Sequence, residues 1–284
     1  MRVLVTGGAG FVGTHLCSAL IDRGDKVAVL DSLTDNYDTA QKLDNLAYLM
    51  SKSRIIFIRG DIRDPHACDA ALKGADAVFH LAGLAGVRES IQKAGLYSDV
   101  NVGGTSVLLS RAAKAGIKGI VFASSSSVYG NGNIPSSEVD VLKPISPYGK
   151  SKRTAEILVS AFGRAWERGA VSCRLFSVYG KRQRPDLAMR KFATAILRKE
   201  EITVFGECKR DYTCVFDTVD GLLRALDFAT EGGRGAFNIG RGRGVATLEL
   251  ISLLEDCLGR KAIIKKAPMQ PGDPKDTLAN IEKA

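Results

Sequence analysis

Val3-Leu4-Val5-Thr6-Gly7-Gly8-Ala9-Gly10-Phe11-Val12-Gly13 is the stretch that decides the fold. A short β-branched apolar run stops on glycines at 7, 10 and 13, and a helix is expected over His15 to Arg23. Such a strand, glycine turn and helix start points backbone N–H groups and a helix N-terminus at an anion. Glycine-rich turns are common, so the motif gains weight from what answers it. The next strand, Lys26 to Leu30, ends in Asp31, where an acid is placed for a ribose 2′-hydroxyl. Together they point to a dinucleotide, NAD rather than NADP, held by Gly7, Gly10, Phe11, Val12, Asp31 and Ser32. A tight turn with a solvent-facing Asp31 is the plain alternative.

The alternation of strands and helices continues. Strands are expected at Arg54–Ile58, Ala77–Leu81, Gly119–Ala123 and Val171–Phe176, with helices at Tyr97–Ala115 and Pro147–Arg168. Asp61 and Ile62 follow the third strand, where an adenine ring could be framed, and Leu81, Ala82 and Gly83 close the fourth. All these residues fall on one edge, the C-terminal ends of the strands, where open parallel sheets take their ligands. The expected class is α/β, a Rossmann-type doubly wound parallel sheet with a smaller C-terminal α/β lobe for substrate. Residues 1–178 form the first unit, the chain returns to it around 214–240, and 179–284 form the lobe. In that second half, helices are expected at Leu187–Lys199, Gly221–Ala229 and Thr247–Leu258, with strands at Ile202–Phe205, Arg210–Val215 and Ala236–Gly240.

Bulk properties narrow the class. With 45% hydrophobic and 25% charged residues the chain reads as an ordinary globular protein. No run of apolar residues is long enough to span a bilayer and the N-terminus lacks signal-peptide order, so a cytoplasmic protein with no membrane partner is expected. Six scattered cysteines form no Cys-x-x-Cys pair, so neither a disulfide framework nor a metal site is expected. The formal charge of +9 is dispersed in small groups such as Lys181-Arg182 and Arg241-Arg243 rather than set in a stripe with aromatics. Nucleic acid is therefore not the expected partner.

The chemistry lies between Ser124 and Lys152. Four serines, Ser124 to Ser127, end the fifth strand, and Tyr148 stands four residues before Lys152, which puts both on one helical face. A phenol titrates near ~10, so use as a base near pH ~7 needs about 4 kcal/mol of differential stabilisation. A neighbouring ammonium and a cationic nicotinamide, both partly desolvated, are expected to lower it. Ser125 is placed to hydrogen-bond the reacting oxygen, and Lys152 to donate also to ribose hydroxyls. His80 reads as a hydrogen-bonded core histidine, not a base.

Taken together, Thr6 to Gly13, His80-Leu81-Ala82-Gly83, Ser124 to Gly130, Tyr148-x-x-x-Lys152 and Arg174 to Gly180 resemble the extended short-chain dehydrogenase/reductase family of nucleotide-sugar enzymes. Within it, Ala85-Gly86-Val87-Arg88, the serines, Arg184 to Met189, Arg210-Asp211-Tyr212 and Met269 to Asp273 look most like UDP-glucuronate 4-epimerases. The resemblance implies tightly held NAD and no net redox change. Tyr148 takes the proton from sugar O4 while hydride leaves C4 for the cofactor and returns to the other face. It implies Arg210 on the diphosphate, Asp273 on ribose, a homodimer, and relatives continuing through a final helix, so that the lobe reads as truncated at Ala284. The 4,6-dehydratases carry Asp and Glu at the positions of Ser126 and Ser127, and their absence speaks for epimerisation. Ser126, Ser127 and Ser177 are then expected around the substrate carboxylate. Three substrate contacts keep rival readings: Arg88 as a helix-end surface arginine, Val204 as a buried strand residue, and Arg184 as uninvolved. A 4-epimerase for UDP-glucose/galactose or their N-acetyl forms, a net dehydrogenase, and a non-catalytic NAD-binding regulator remain alternatives.

Overall fold

The computed structural model describes residues 1–269, 272 and 274–284. The apolar run opens the chain as β1 (Arg2–Thr6), and the glycine turn leads directly into α1 (Phe11–Asp22). There follow β2 (Lys26–Asp31), α2 (Thr39–Lys52), β3 (Ile56–Arg59), α3 (Pro65–Leu72) and β4 (Ala77–His80). Next come α4 (Val87–Gln92), α5 (Ala94–Ser98), α6 (Thr105–Ala115), β5 (Gly119–Ser125), α7 (Pro147–Ala165), β6 (Gly169–Leu175) and β7 (Ser177–Tyr179). The remainder is α8 (Ala188–Arg198), β8 (Glu201–Phe205), β9 (Lys209–Cys214), α9 (Val215–Thr230), β10 (Arg234–Ile239), β11 (Gly244–Ala246), α10 (Thr247–Leu258) and β12 (Ile263–Ala267).

Seven strands form one parallel sheet in the order β10-β6-β5-β4-β1-β2-β3. Alternation along β1 shows why it is doubly wound. Val3 and Val5 join Leu16 and Leu20 of α1, Leu49 of α2 and Leu222 and Leu226 of α9 in one apolar layer. Leu4 points the other way, into a layer with Cys68 of α3, Leu108 and Leu109 of α6 and Val159 and Phe162 of α7. Each such side chain removed from water contributes about 1.5–3 kcal/mol, so the two layers hold the sheet edge rigid. The order reverses between β1 and β4, and the crevice at that switch point is where such sheets bind ligands. A third core, with Phe192, Ile196, Ile202, Val204, Leu250 and Ile251, packs α8 and α10 on β8. The small sheets β11-β9-β7 and β12-β8 complete this half.

The helix expected from Tyr97 to Ala115 is interrupted by a wide turn over Asp99–Gly104. The interruption presents the Asn101 carboxamide, which accepts from Leu84 N (2.7 Å) and donates to Leu84 O (3.0 Å) and Ser151 Oγ (3.0 Å). Local spacing carries no trace of those long-range partners. Leu108 and Leu109 are core, whereas Ile157 is half exposed. Among the described residues no helix is long and apolar enough to cross a membrane, and no His/Cys/Asp/Glu group suits a metal ion.

Candidate active site

The glycine turn is a cradle that side chains would fill. Gly7 has φ +73°, and a Cβ there would lie 2.8 Å from Ala82 N; one on Gly13 would run into the Gly7 carbonyl. The backbone of the turn can thereby approach a ligand closely at the start of α1, which fits a dinucleotide pyrophosphate. Asp31 is buried; its carboxylate accepts from Ala9 N (3.1 Å) and Leu33 N (2.9 Å), tying the cradle to the end of β2. Across the crevice, Asp61 is held by Arg63, whose guanidinium keeps that carboxyl below the usual range.

Ser146 caps α7 by accepting from Gly149 N (3.0 Å), and Pro147 fills its first turn, so Tyr148 projects at the very start of the helix. The Tyr148 hydroxyl faces Ser125 at the end of β5, and both line the same cleft. Tyr97 packs edge-on against its ring at 6.2 Å. One turn on, Lys152 is buried, donates to Ala123 O (2.8 Å), and lies 4.7 Å from the centre of the Phe122 ring. Burial lowers its ammonium to about 8, partly offset by Glu156. His80 is buried and neutral, lowered to about 3 by burial and then by Lys152. Its ring nitrogens pair with Thr6 Oγ1 (2.8 Å) and Thr105 Oγ1 (2.9 Å).

Burial raises the Tyr148 hydroxyl above its ordinary value, and only the Ser125 hydrogen bond and Arg184 oppose this. The ammonium expected to lower it is turned toward Ala123 O instead. Within the chain itself, burial thus favours the protonated phenol.

These groups meet in one cleft of about 820 Å³ lined by Gly7, Gly10, Phe11, Val12, Asp31, Ser32, Asp61, Ile62, Leu81, Ala82, Gly83, Ser125, Tyr148 and Lys152. From the opposite side Ser177, Arg184 and Arg210 face it. Arg210 donates to Lys209 O, Lys275 O and Pro274 O, and Arg184 is paired with Asp186. Four expected contacts are not among the lining residues. Ser126 and Ser127 form a single 3₁₀ turn, with Ser127 N donating to Ser125 Oγ (3.1 Å). Val204 is in the third core, and Arg88 stacks over Phe205 at 4.7 Å. Asp273 lies outside the described residues. The sequence reading missed Tyr37, Lys42 and Gln183, all of which line the cleft. Lys42 is buried, donates to Thr34 O (2.6 Å), and lies over Tyr37. A lysine and tyrosine shortly after Asp31 were the available signal.

A Gly-rich edge, a Tyr-Lys-Ser group and a facing half with two arginines define the class. Residues 3–240 match the NAD dependent epimerase/dehydratase family, and the chain belongs to it. It is an NAD-dependent nucleotide-sugar epimerase, an isomerase. UDP-glucuronate 4-epimerase 2 of Arabidopsis thaliana is 39% identical, with 100% of this chain and 70% of that protein covered. A UDP-glucose epimerase of Bacillus subtilis, described as uncharacterized, is 36% identical over 100% of this chain and 90% of its own. The structure of UDP-glucuronic acid 4-epimerase from Bacillus cereus in complex with UDP-glucuronic acid and NAD superposes with a TM-score of 0.93. It is 34% identical, with 100% and 91% of the two chains covered.

Proposed function

We propose that the chain interconverts UDP-glucuronate and UDP-galacturonate by inverting C4 of the sugar. The observation that carries this is the convergence of Ser125, Tyr148 and Lys152, the last one helical turn from the tyrosine, on the cleft edge that holds the glycine cradle. Gly7, Gly10, Asp31, Asp61 and Lys152 would hold NAD, whose nicotinamide, when bound, supplies a reversible hydride acceptor. Tyr148 receives the O4 proton and returns it once the 4-keto sugar has presented its other face. Ser125 holds that oxygen in line by hydrogen bonding. Lys152 supplies positive charge that favours the phenolate in a water-poor site. Arg210 grips the diphosphate, for which a guanidinium fork is suited.

For the sugar, Ser177 and Arg184 supply a hydroxyl and a cation on the lining, which suits a carboxylate. A neutral UDP-hexose is the second reading, favoured by the absence of Ser126 and Ser127 from the lining. We further place the enzyme in the cytoplasm as a homodimer through α6 and α7, where half-exposed Ile157 offers apolar surface. Product NMR after separate incubation with UDP-glucuronate, UDP-glucose and UDP-N-acetylglucosamine tests the choice. Epimer from glucuronate alone supports the first reading, and epimer only from neutral sugars refutes it. Reduced cofactor released in step with product would refute epimerisation altogether. Tyr148→Phe is expected to lose about 10²–10⁴ in kcat.

A further inference from the structure

Tyr148, Lys152 and Glu156 stand on successive turns of one face of α7. Glu156 is 4% exposed and touches neither the cleft nor solvent to any extent. Its Oε1 accepts from Ser124 Oγ (2.6 Å) and Arg174 Nε (3.0 Å), and its Oε2 accepts from Arg174 Nη2 (3.0 Å). Ser124 and Arg174 are register partners in β5 and β6. The carboxylate therefore pins the helix carrying Tyr148 and Lys152 to the strand residue immediately before Ser125. Arg174 is itself anchored, donating to Tyr129 OH (2.9 Å), which donates to Asn238 Oδ1 (2.6 Å).

We propose that Glu156 is a positioning residue for the reaction: clamped by Ser124 and Arg174, it holds α7 against the end of β5 and keeps the Lys152 amine charged beside Tyr148. The groups facing Lys152 define its electrostatics. Glu156 acts on it from α7, and neutral His80 faces it from β4. Arg174 on β6 and Arg153 on α7 lie beyond it, against the Glu156 carboxylate. Among the described residues Glu156 is thus the anion that favours the ammonium, and its effect on Lys152 is upward. An apolar residue would pack the same space but would leave Lys152 with burial alone, which drives off its proton.

The inference rests on the reading of Lys152 as the cation beside the base. The test uses NAD-loaded protein carrying ε-¹³C-lysine, with the Lys152 signal assigned by its loss in Lys152→Met. In Glu156→Gln that signal is expected to titrate about half a pH unit or more below wild type. Near pH ~9 kcat is expected to fall about threefold for a half-unit shift while KM for the UDP-sugar changes less than about twofold, and the gap closes toward pH ~7. Should Glu156→Gln fail to fold because Arg174 is left unpaired, Glu156→Gln/Arg174→Gln removes both charges of the pair, and the Lys152 midpoint is expected to move the same way by a smaller amount, because a cation leaves with the anion. An unmoved Lys152 midpoint in the folded variant, or a loss of kcat equal at every pH, overturns the proposal alone. Full turnover by Lys152→Met overturns the reading beneath it, and the proposal with it.

Discussion

Lys152→Met removes a charge that the fold buries at a cost. The fall of its ammonium from 10.5 to about 8 corresponds to about 3 kcal/mol in favour of the neutral amine. Because the folded value lies below the unfolded one, the folded chain carries that full penalty at pH below about 8. The penalty is relieved as pH rises from about 8 toward 10.5. Methionine fills the stem's space but leaves Ala123 O without its donor, at about 1–3 kcal/mol. The cofactor-free variant is therefore expected to match wild type or exceed it by up to about 2 kcal/mol at pH ~7, despite losing activity. At about 2–4 °C per kcal/mol, that is a melting temperature unchanged or raised by up to about 8 °C. By pH ~9.5 wild type has regained about 2 kcal/mol, so the offset between the two proteins should move by about 4–8 °C against the variant. Thermal melts of both cofactor-free proteins across this range make the measurement. An offset that stays constant with pH would refute the reasoning, since only the buried charge makes it vary.

Gly13→Val places a side chain against the Gly7 carbonyl, so the purified protein should carry no NAD, read by chromatography of the nucleotide released on denaturation, while its circular dichroism is retained. Arg174→Met leaves the buried Glu156 carboxylate with only Ser124 and Arg153, costing up to about 3–5 kcal/mol, and the double variant with Glu156→Leu should recover most of the lost melting temperature. Arg184 is a cation that favours the Tyr148 phenolate, so Arg184→Met should move the acid limb of the kcat/KM profile to higher pH; an unmoved limb would count against its place beside the base.

The catalytic edge was readable because its parts are local. A glycine spacing, an acid ending a strand and a Tyr-x-x-x-Lys helix each occupy fewer than about a dozen residues, and parallel alternation aligns them without further information. What escaped depends on distant partners. The wide turn over Asp99–Gly104 exists because Asn101 meets Leu84 and Ser151, a choice made in three dimensions. Short β7, β11 and β12 have too few residues to show a period, and α2 follows a turn whose Asp38 cap accepts from Ala40 N (2.9 Å). The direction of the Lys152 amine escaped for a related reason. Spacing places Lys152 on the right face, but only packing decides that its amine points to Ala123 O.

Ser126 and Ser127 separate two kinds of inference that the sequence joins. As the residues that stand where dehydratases have Asp and Glu, they argue about which reaction is absent, and that argument needs only their identity. As carboxylate ligands they must also reach the cleft, and the 3₁₀ turn capped by Ser125 takes them off its lining. On the proposed reading the sugar is met instead from the facing half, where Ser177 at the start of β7 and Arg184 in the loop before α8 line the cleft. Those positions sit on a loop and a three-residue strand, whereas the proton-transfer groups sit on a capped helix and a central strand buried on both faces. Rigid elements fix the chemistry and adaptable ones choose the substrate, so the same edge accommodates different sugars as the facing loop changes.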